Sequence, residues 1–351
     1  MKTVVSIVGI RPDFIRMSKI FKLLDKNFKH ILIHTGQHFD KNLSQVFFDQ
    51  FNIRIPDFNL CIGSNGKEHF HQTAELSVKV IELFRNENIK PDLILFLGDS
   101  NSVVASVPLK KEGYKIGHIE AGMRSGDKRM LEEINRTVCD HCSDLLFVYH
   151  KNYKNKLRKE NINKHSVYVV GNTINEVCSE FVPEIFKKAK TNSNILLDIH
   201  RPENFKYKER MEWILKYANL CCDKYKKPVK MLGFKRTIEN IKKYELNLGQ
   251  IELMDLMDYK NYLNFIYNCE FIISDSGTSQ EEPAFLNTQV IVPRDFTERP
   301  ESMQNNCSFM LNKNNFESSF EWIDSKKKIE IEWMGDGKTS KKIINIIKKN
   351  I

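Results

Sequence analysis

Residues 118–136, His-Ile-Glu-Ala-Gly-Met-Arg-Ser-Gly-Asp-Lys-Arg-Met-Leu-Glu-Glu-Ile-Asn-Arg, put Glu120, Arg124, Asp127, Glu132, Glu133 and Arg136 within one short span. The span follows an apolar run, so it leaves the end of a strand. Gly122 and Gly126 permit positive φ and let backbone approach a ligand closely. Glu132 and Arg136 lie four apart and share a helix face, with Glu133 turned away from it. Glu120 at the strand end and Glu132 entering the next helix can converge on one site. Two carboxylates carried by different elements are equipment for acid–base chemistry. A solvated charged loop closed by helix ion pairs would use the same residue types, so the rest of the chain must decide.

Three further stretches carry comparable chemistry. Gly9-Ile10-Arg11-Pro12-Asp13-Phe14-Ile15-Arg16 is a glycine turn feeding a helix with Pro in its first turn, a natural anion site flanked by Arg11 and Arg16. It is not a G-x-G-x-x-G pattern and signals no dinucleotide. Asp99 stands at the end of the apolar run 91–97, where parallel α/β sheets place ligands. Ser276, Gly277 and Thr278 follow the run Phe271-Ile272-Ile273 and form a second anion-turn candidate at an expected helix N-terminus. Plain helix capping draws on the same residues. The eight cysteines include Cys139-Asp140-His141-Cys142, but no second pair completes a zinc site, and they read as buried thiols.

The elements that must position these groups alternate along the chain. Apolar runs at 2–8, 31–36, 91–97, 114–119, 145–149 and 167–170 read as buried parallel strands with helices between them, including 43–50 and 72–85. The pattern restarts near Gly171, with strands at 194–199, 228–232, 251–254, 271–273 and 290–292 and a last helix at 339–350. The expected architecture is α/β, with two Rossmann-like parallel-sheet domains and a cleft between strand C-terminal edges. The first domain covers 1–170, joined by the C-terminal helix 338–351; the second covers 171–337. The chain has 351 residues, 41% hydrophobic and 28% charged, with a formal charge of +9. Much of that excess is scattered Lys in the last third, with no Arg/Lys stripe interleaved with aromatics, so nucleic acid is not an expected partner. No stretch reaches the roughly 20 apolar residues of a membrane span. The first residues read as a strand rather than a leader, and a cytoplasmic protein is expected.

Taken in order, the motifs resemble the non-hydrolysing UDP-N-acetylglucosamine 2-epimerases. They are Gly9-Ile10-Arg11-Pro12-Asp13, Gln37-His38, Gly98-Asp99-Ser100-Asn101-Ser102, His118-Ile119-Glu120-Ala121-Gly122-Met123-Arg124 and Glu132-Glu133-Ile134-Asn135-Arg136. In the second half come Gly171-Asn172-Thr173, His200-Arg201-Pro202-Glu203-Asn204, Asp275-Ser276-Gly277, Gln280-Glu281-Glu282, Thr297-Glu298-Arg299-Pro300-Glu301 and Gly335-Asp336-Gly337. The resemblance implies the two-domain glycosyltransferase-B (GT-B) fold, a homodimer and a UDP-sugar substrate, with no metal or cofactor.

On matching positions it implies Asp99, Glu120, Glu132 and His200 as the catalytic group. Arg11 and His200 would meet the diphosphate, with Arg16, Arg124 and Arg136 among the substrate-binding cations. Ser276, Gly277 and Thr278 would bind phosphate, Glu282 the ribose hydroxyls, Tyr262 the uracil, and Arg299 would belong to the UDP site. The implied reaction eliminates UDP across C1–C2 and re-adds it after protonation of the other C2 face. A GT-B glycosyltransferase sharing the UDP site is the alternative. The loop between Glu120 and Glu132 is shorter than in the branch acting on UDP-N-acetylglucosamine itself. Its Asp-Lys-Arg-Met-Leu-Glu-Glu-Ile-Asn-Arg form resembles branches acting on 2,3-diacetamido uronic acids or 6-deoxy-L-amino sugars. Gln37 is kept from the activator site of some members, whereas Val80 and Asp40 replace its Arg and second Gln and Gly233 stands near its His. That departure leads us to expect no activator site.

Overall fold

The computed structural model describes residues 1–36, 48–62 and 68–351. Gln37, His38, Phe39 and Asp40 lie outside these residues, as does the expected helix over 43–50 up to residue 47; residues 48–51 are helical. The chain divides into two compact units, Met1–Val177 with Met334–Ile351, and Cys178–Trp333.

The first unit is built on seven parallel strands among the described residues: β1 (Thr3–Val8), β2 (Lys29–His34), β3 (Phe58–Asn59), β4 (Leu93–Leu97), β5 (Ile116–Ile119), β6 (Leu145–Val148) and β7 (Val167–Val169). Their order is β3-β2-β1-β4-β5-β6-β7. The middle strands are covered on both faces, which is why their sequences read as unbroken apolar runs: all five residues of β4 are buried. Strand order reverses between β1 and β4, so the chain leaves these two strands in opposite directions and opens a crevice at their C-terminal ends.

The helix Arg11–Asn27 leaves β1 with Pro12 in its first turn. It buries Phe14, Met17, Ile20, Phe21 and Leu24, a stripe at helical spacing. The C-terminal helix Thr339–Asn350 packs on it, burying Ile343, Ile344 and Ile347. The sequence reading ends the first domain at 170. In the structure Asn172 N donates to Met334 O at 2.9 Å and Asn175 Nδ2 to Gly335 O at 2.8 Å. These bonds tie the start of the helix Thr173–Ile185 and the 334–337 turn to the first unit.

The second unit carries six parallel strands: β8 (Asn194–Asp198), β9 (Val229–Leu232), β10 (Glu252–Met254), β11 (Cys269–Ser274), β12 (Gln289–Val292) and β13 (Ser308–Met310). The order β10-β9-β8-β11-β12-β13 has its reversal between β8 and β11. The sequence reading lacked β3 and β13. Both are sheet-edge strands of two or three residues, too short for a periodic signal. The core of this unit gathers Ile195, Leu197, Tyr217, Phe271, Ile273 and Phe320, among others.

Candidate active site

Each unit presents its candidate side chains at strand C-termini at or next to its own reversal. In the first unit, β1, β4 and β5 are neighbours, and they deliver the Gly9–Asp13 turn, Asp99 and Glu120 respectively. Glu120 is buried and adopts φ +72°, the left-handed region that costs an ordinary side chain energy. Its carboxylate lies 3.2 Å from the Arg16 guanidinium, which is itself 3% exposed. Arg16 also donates to Asn172 at 3.2 Å and lies over the Tyr149 ring. Arg16 is therefore a buried counter-charge to Glu120.

Asp99, 25% exposed, pairs with the buried Arg136. Asn135 Nδ2 donates to the Asp99 carbonyl at 3.0 Å. The helix Leu131–Cys142 thus grips the end of β4 with two consecutive side chains. Glu132 stands half-buried in the first turn of that helix.

Glu133 departs from the sequence reading. It was expected to turn away from Arg136; instead it is buried and accepts from Arg136 Nη1 at 2.9 Å. It also accepts from Ser125 N and Oγ, both at 2.9 Å, and from Gly126 N at 3.0 Å. Residues three apart also share a helix face, and the preceding loop folds back onto that face. Arg124 points inward too: its guanidinium meets Asp140, Glu160 and the Met123 carbonyl. Arg11 lies exposed at the start of its helix.

Asp13 belongs to the glycine-turn motif but was not singled out as a site residue. Its Oδ2 accepts from Gly9 N at 2.9 Å, Ile10 N at 3.1 Å and Ser100 Oγ at 3.2 Å, so one carboxyl ties the β1 turn to the residue after Asp99. Burial pushes this carboxyl up to about 7 against the pull of those three donors, and the neighbouring Asp99 charge pushes the same way. An acid at the third residue of a helix after a glycine turn is the signal that could have found it.

In the second unit, His200 follows β8 and Ser276 follows β11. His200 Nδ1 lies 2.8 Å from Asp198 and 3.5 Å from Asp275. Burial disfavours charge on the imidazole, but the two carboxylates outweigh it and hold His200 above its ordinary range. Asp198, His200 and Asp275 have ligand atoms within 4.8 Å of one another, a set able to hold a metal ion. Their hydrogen bonds give them another occupation. Asp275 takes the backbone N–H groups of His200 and Arg201 and the Asn204 amide. Asp198 takes Ser274 Oγ and the imidazole. The two acids orient and charge the histidine.

The expected helix N-terminus at 276–278 is corrected. Gly277 caps a 3₁₀ turn, Thr278–Gln280, and a second, Glu282–Leu286, follows. Pro283 lacks the N–H a continuous α-helix would use and disfavours the α conformation at Glu282. Ser276 Oγ and Thr278 Oγ1 lie 3.0 Å apart. At Gly277 a Cβ would come within 2.7 Å of Arg299 Nη1, so a larger residue would have to push the Arg299 guanidinium aside. Arg299 is buried between Glu298 and Glu281. Glu282 is buried and accepts from Tyr259 Oη at 2.9 Å. Tyr262, half-buried one turn on, lies 3.2 Å from Ser279 Oγ through its hydroxyl.

Residues 22–348 match the family model for UDP-N-acetylglucosamine 2-epimerase. The chain is 34% identical over 363 residues to a UDP-N-acetylglucosamine 2-epimerase of Methanococcus maripaludis, covering 97% of each. It is 31% identical over 303 residues to a UDP-2,3-diacetamido-2,3-dideoxy-D-glucuronate 2-epimerase of Pseudomonas aeruginosa, covering 84% of each. Among solved structures, the UDP-GlcNAc 2-epimerase of Methanocaldococcus jannaschii in complex with UDP-GlcNAc and UDP superposes with a TM-score of 0.89 at 30% identity. That match covers 99% of this chain and 100% of the other.

Proposed function

This chain belongs to the UDP-N-acetylglucosamine 2-epimerase family, and we propose that it inverts C2 of a UDP-2-acetamido sugar by eliminating and re-adding UDP. The observation that carries the reading is the pair of acids at adjacent strand ends, Asp99 and Glu120, each set against a buried arginine. The C2–H bond breaks as a base takes the proton, and its electron pair becomes the C1=C2 bond. The C1–O bond breaks and the diphosphate leaves with the electron pair of the C1–O bond. The product pair is a 2-acetamidoglycal and UDP. Protonation of C2 from the other face, with return of UDP to C1, gives the epimer.

Asp99, Glu120 and Glu132 serve the proton transfers. Arg11, Arg16 and Arg136 supply positive charge around the substrate, Arg16 and Arg136 beside the Glu120 and Asp99 carboxylates. In the second unit a cationic His200 stabilises the departing diphosphate. Ser276, Gly277 and Thr278 hold phosphate, Glu282 the ribose, and Tyr262 the uracil; Arg299 braces the Gly277 turn. The same reading makes the protein a cytoplasmic homodimer in polysaccharide biosynthesis, supported by family membership alone.

Incubation with a UDP-2-acetamido sugar in deuterated water without acceptor tests the reaction. Deuterium at C2 in both epimers is expected. Sugar transfer or hydrolysis without C2 exchange would point to a glycosyltransferase instead.

The short 127–131 loop motivates a narrower reading of the substrate. Asp127 clasps Arg129, and Glu133 pins Ser125 and Gly126, so the loop is held firmly. Placed near the sugar, it would read substituents at C3, C4 or C6. A modified UDP-2-acetamido sugar, such as a 6-deoxy-L form, is expected to turn over better than UDP-N-acetylglucosamine. Val80, at the position of the activator-site arginine, is fully buried in the core of the first unit. Hyperbolic kinetics are therefore expected, since a ligand without differential affinity for two states cannot shift them. Efficient, sigmoidal turnover of UDP-N-acetylglucosamine in a panel of UDP-sugars would overturn both parts.

A further inference from the structure

Beneath the ends of β4 and β5 lies a chain of charges with His118 and Asp140 at its buried core and Arg124, which the family resemblance counts among the substrate-binding cations, at its outer end. His118 is fully buried, two residues before Glu120 on β5. Its Nε2 lies 2.7 Å from the carbonyl of Gly98, the residue before Asp99. Its Nδ1 lies 2.7 Å from Asp140 Oδ1. Both ring nitrogens face acceptors, so the ring must carry both protons to satisfy them. Asp140, on the helix Leu131–Cys142, is equally buried. Through Oδ2 it accepts from Gly122 N at 3.0 Å and meets Arg124 Nη1 at 2.7 Å. The Arg124 fork closes on Glu160 at 2.9 and 2.7 Å.

We propose that His118, Asp140 and Arg124 form a buried strut that fixes the two reactive carboxylates, Asp99 and Glu120, relative to each other. The proposal rests on the catalytic assignment of those carboxylates given above. The strut reaches the backbone on both sides of the reacting groups. His118 holds Gly98, at φ +73°, so that the chain turns into Asp99. Asp140 holds Gly122, at φ +79°, which closes the turn begun at Glu120 with φ +72°. A Cβ at Gly122 would come within 2.8 Å of the Tyr153 carbonyl, so this turn has no room to relax outward. Glu120 is thus kept in the left-handed region by an anchor on each side.

The charges balance inside the strut. Burial disfavours the imidazolium, but Cys139 and Asp140 outweigh it and hold His118 well above its ordinary range. Burial likewise pushes Asp140 up, and His118 with Arg124 more than offsets that, leaving it ionised. The geometry makes Arg124 a positioning residue: its guanidinium nitrogens are committed to Asp140, Glu160 and the Met123 carbonyl.

The test uses the full-length enzyme and measures kcat and KM for C2 exchange alongside UDP affinity by calorimetry. His118→Gln and Asp140→Asn should each lower kcat by about a hundredfold, the scale of a reacting group misplaced by an ångström, with KM and UDP affinity close to the parent's. If either buried variant fails to fold, Arg124 decides. Arg124→Lys should retain most of kcat by keeping a cation on Asp140, and Arg124→Met should lose it, again without a change in KM. A kcat within about twofold of the parent in all folded variants would overturn the strut. So would a loss in Arg124→Met that appears in KM alone, which marks a direct substrate contact. Asp99→Asn and Glu120→Gln are run beside them. If those two keep full turnover, the catalytic assignment itself fails and the strut falls with it; if they are inactive while the strut variants are normal, only the strut fails.

Discussion

Replacing Asp13 by Asn should change how the stability of the first unit depends on pH. The carboxyl sits 2% exposed under the Gly9–Ile10 turn and titrates at about 7, against 3.8 for the free group. A folded value above the unfolded one means that the native state holds the proton more tightly. Its stabilising contribution is full below the unfolded value and is lost as pH rises through the folded one. The interval of about 3 pH units corresponds to about 4 kcal/mol at 1.36 kcal/mol per unit. Asn keeps a carbonyl oxygen to accept from Gly9 N and Ile10 N but cannot ionise. The wild-type unfolding free energy, minus that of Asp13→Asn, should therefore fall by about 4 kcal/mol between pH 4 and pH 8. Taking the difference cancels every other titrating group. Urea unfolding followed by far-UV circular dichroism reads it. The fluorescence of Trp213, Trp322 and Trp333, all in the second unit, serves as an internal control. A difference that stays flat from pH 4 to pH 8 would show that Asp13 titrates alike in both states, and the burial argument would be wrong.

Asp99→Asn, Glu120→Gln and Glu132→Gln should each lower turnover by about a hundredfold or more while UDP binding survives, measured by steady-state kinetics and calorimetry. Near-normal turnover in all three would place the chemistry elsewhere. Glu133→Ala should destabilise the first unit by roughly 2 kcal/mol, because it leaves the Ser125 and Gly126 N–H groups without this acceptor and takes one of two carboxylate partners from the buried Arg136, which keeps Asp99; an unchanged melting temperature would contradict this. For His200 the sign runs with the cation: its raised value keeps the positive charge past the ordinary histidine range, and the charge is lost above it. UDP affinity should weaken as pH rises through that region, and His200→Gln should flatten the profile; parallel profiles would remove His200 from the diphosphate.

The two-sheet α/β architecture was legible because its middle strands are covered on both faces. A strand such as Leu93–Leu97 must then be apolar at every position, and periodicity alone finds it. Two of the four edge strands escape the same logic. Phe58–Asn59 and Ser308–Met310 are short, and their pairing is decided by neighbours far along the chain. The break after β11 also escaped. A small-residue turn before an apolar stretch reads as a helix start, whereas Pro283 splits the segment into two short 3₁₀ turns.

The candidate groups could be singled out in the sequence and the partners the fold gives them mostly could not, for a physical reason. Groups meant for a ligand occupy strand ends, where type and position suffice to single them out. The groups that charge or hold them come from neighbouring strands and helices: Asp275, just after β11, for His200, just after β8, and Asp140 from a helix for His118 on β5. Which acids meet which bases depends on strand order, and strand order is not written locally. Asp198 is the exception that shows the rule, since it lies two residues from His200 at the same strand end and could have been inferred from spacing. Glu133 shows the converse: adjacent to Glu132, it was assigned to the wrong face because the loop that folds back to meet it, at Ser125 and Gly126, has no signature apart from its glycine. The acids proposed for chemistry and the acids that hold the fold are thus alike in sequence and differ only in what the fold brings to them. Asp275, met by the backbone N–H groups of His200 and Arg201, holds the fold; Asp99 and Glu120, set against arginines at the ends of central strands, are the acids to which we assign the chemistry.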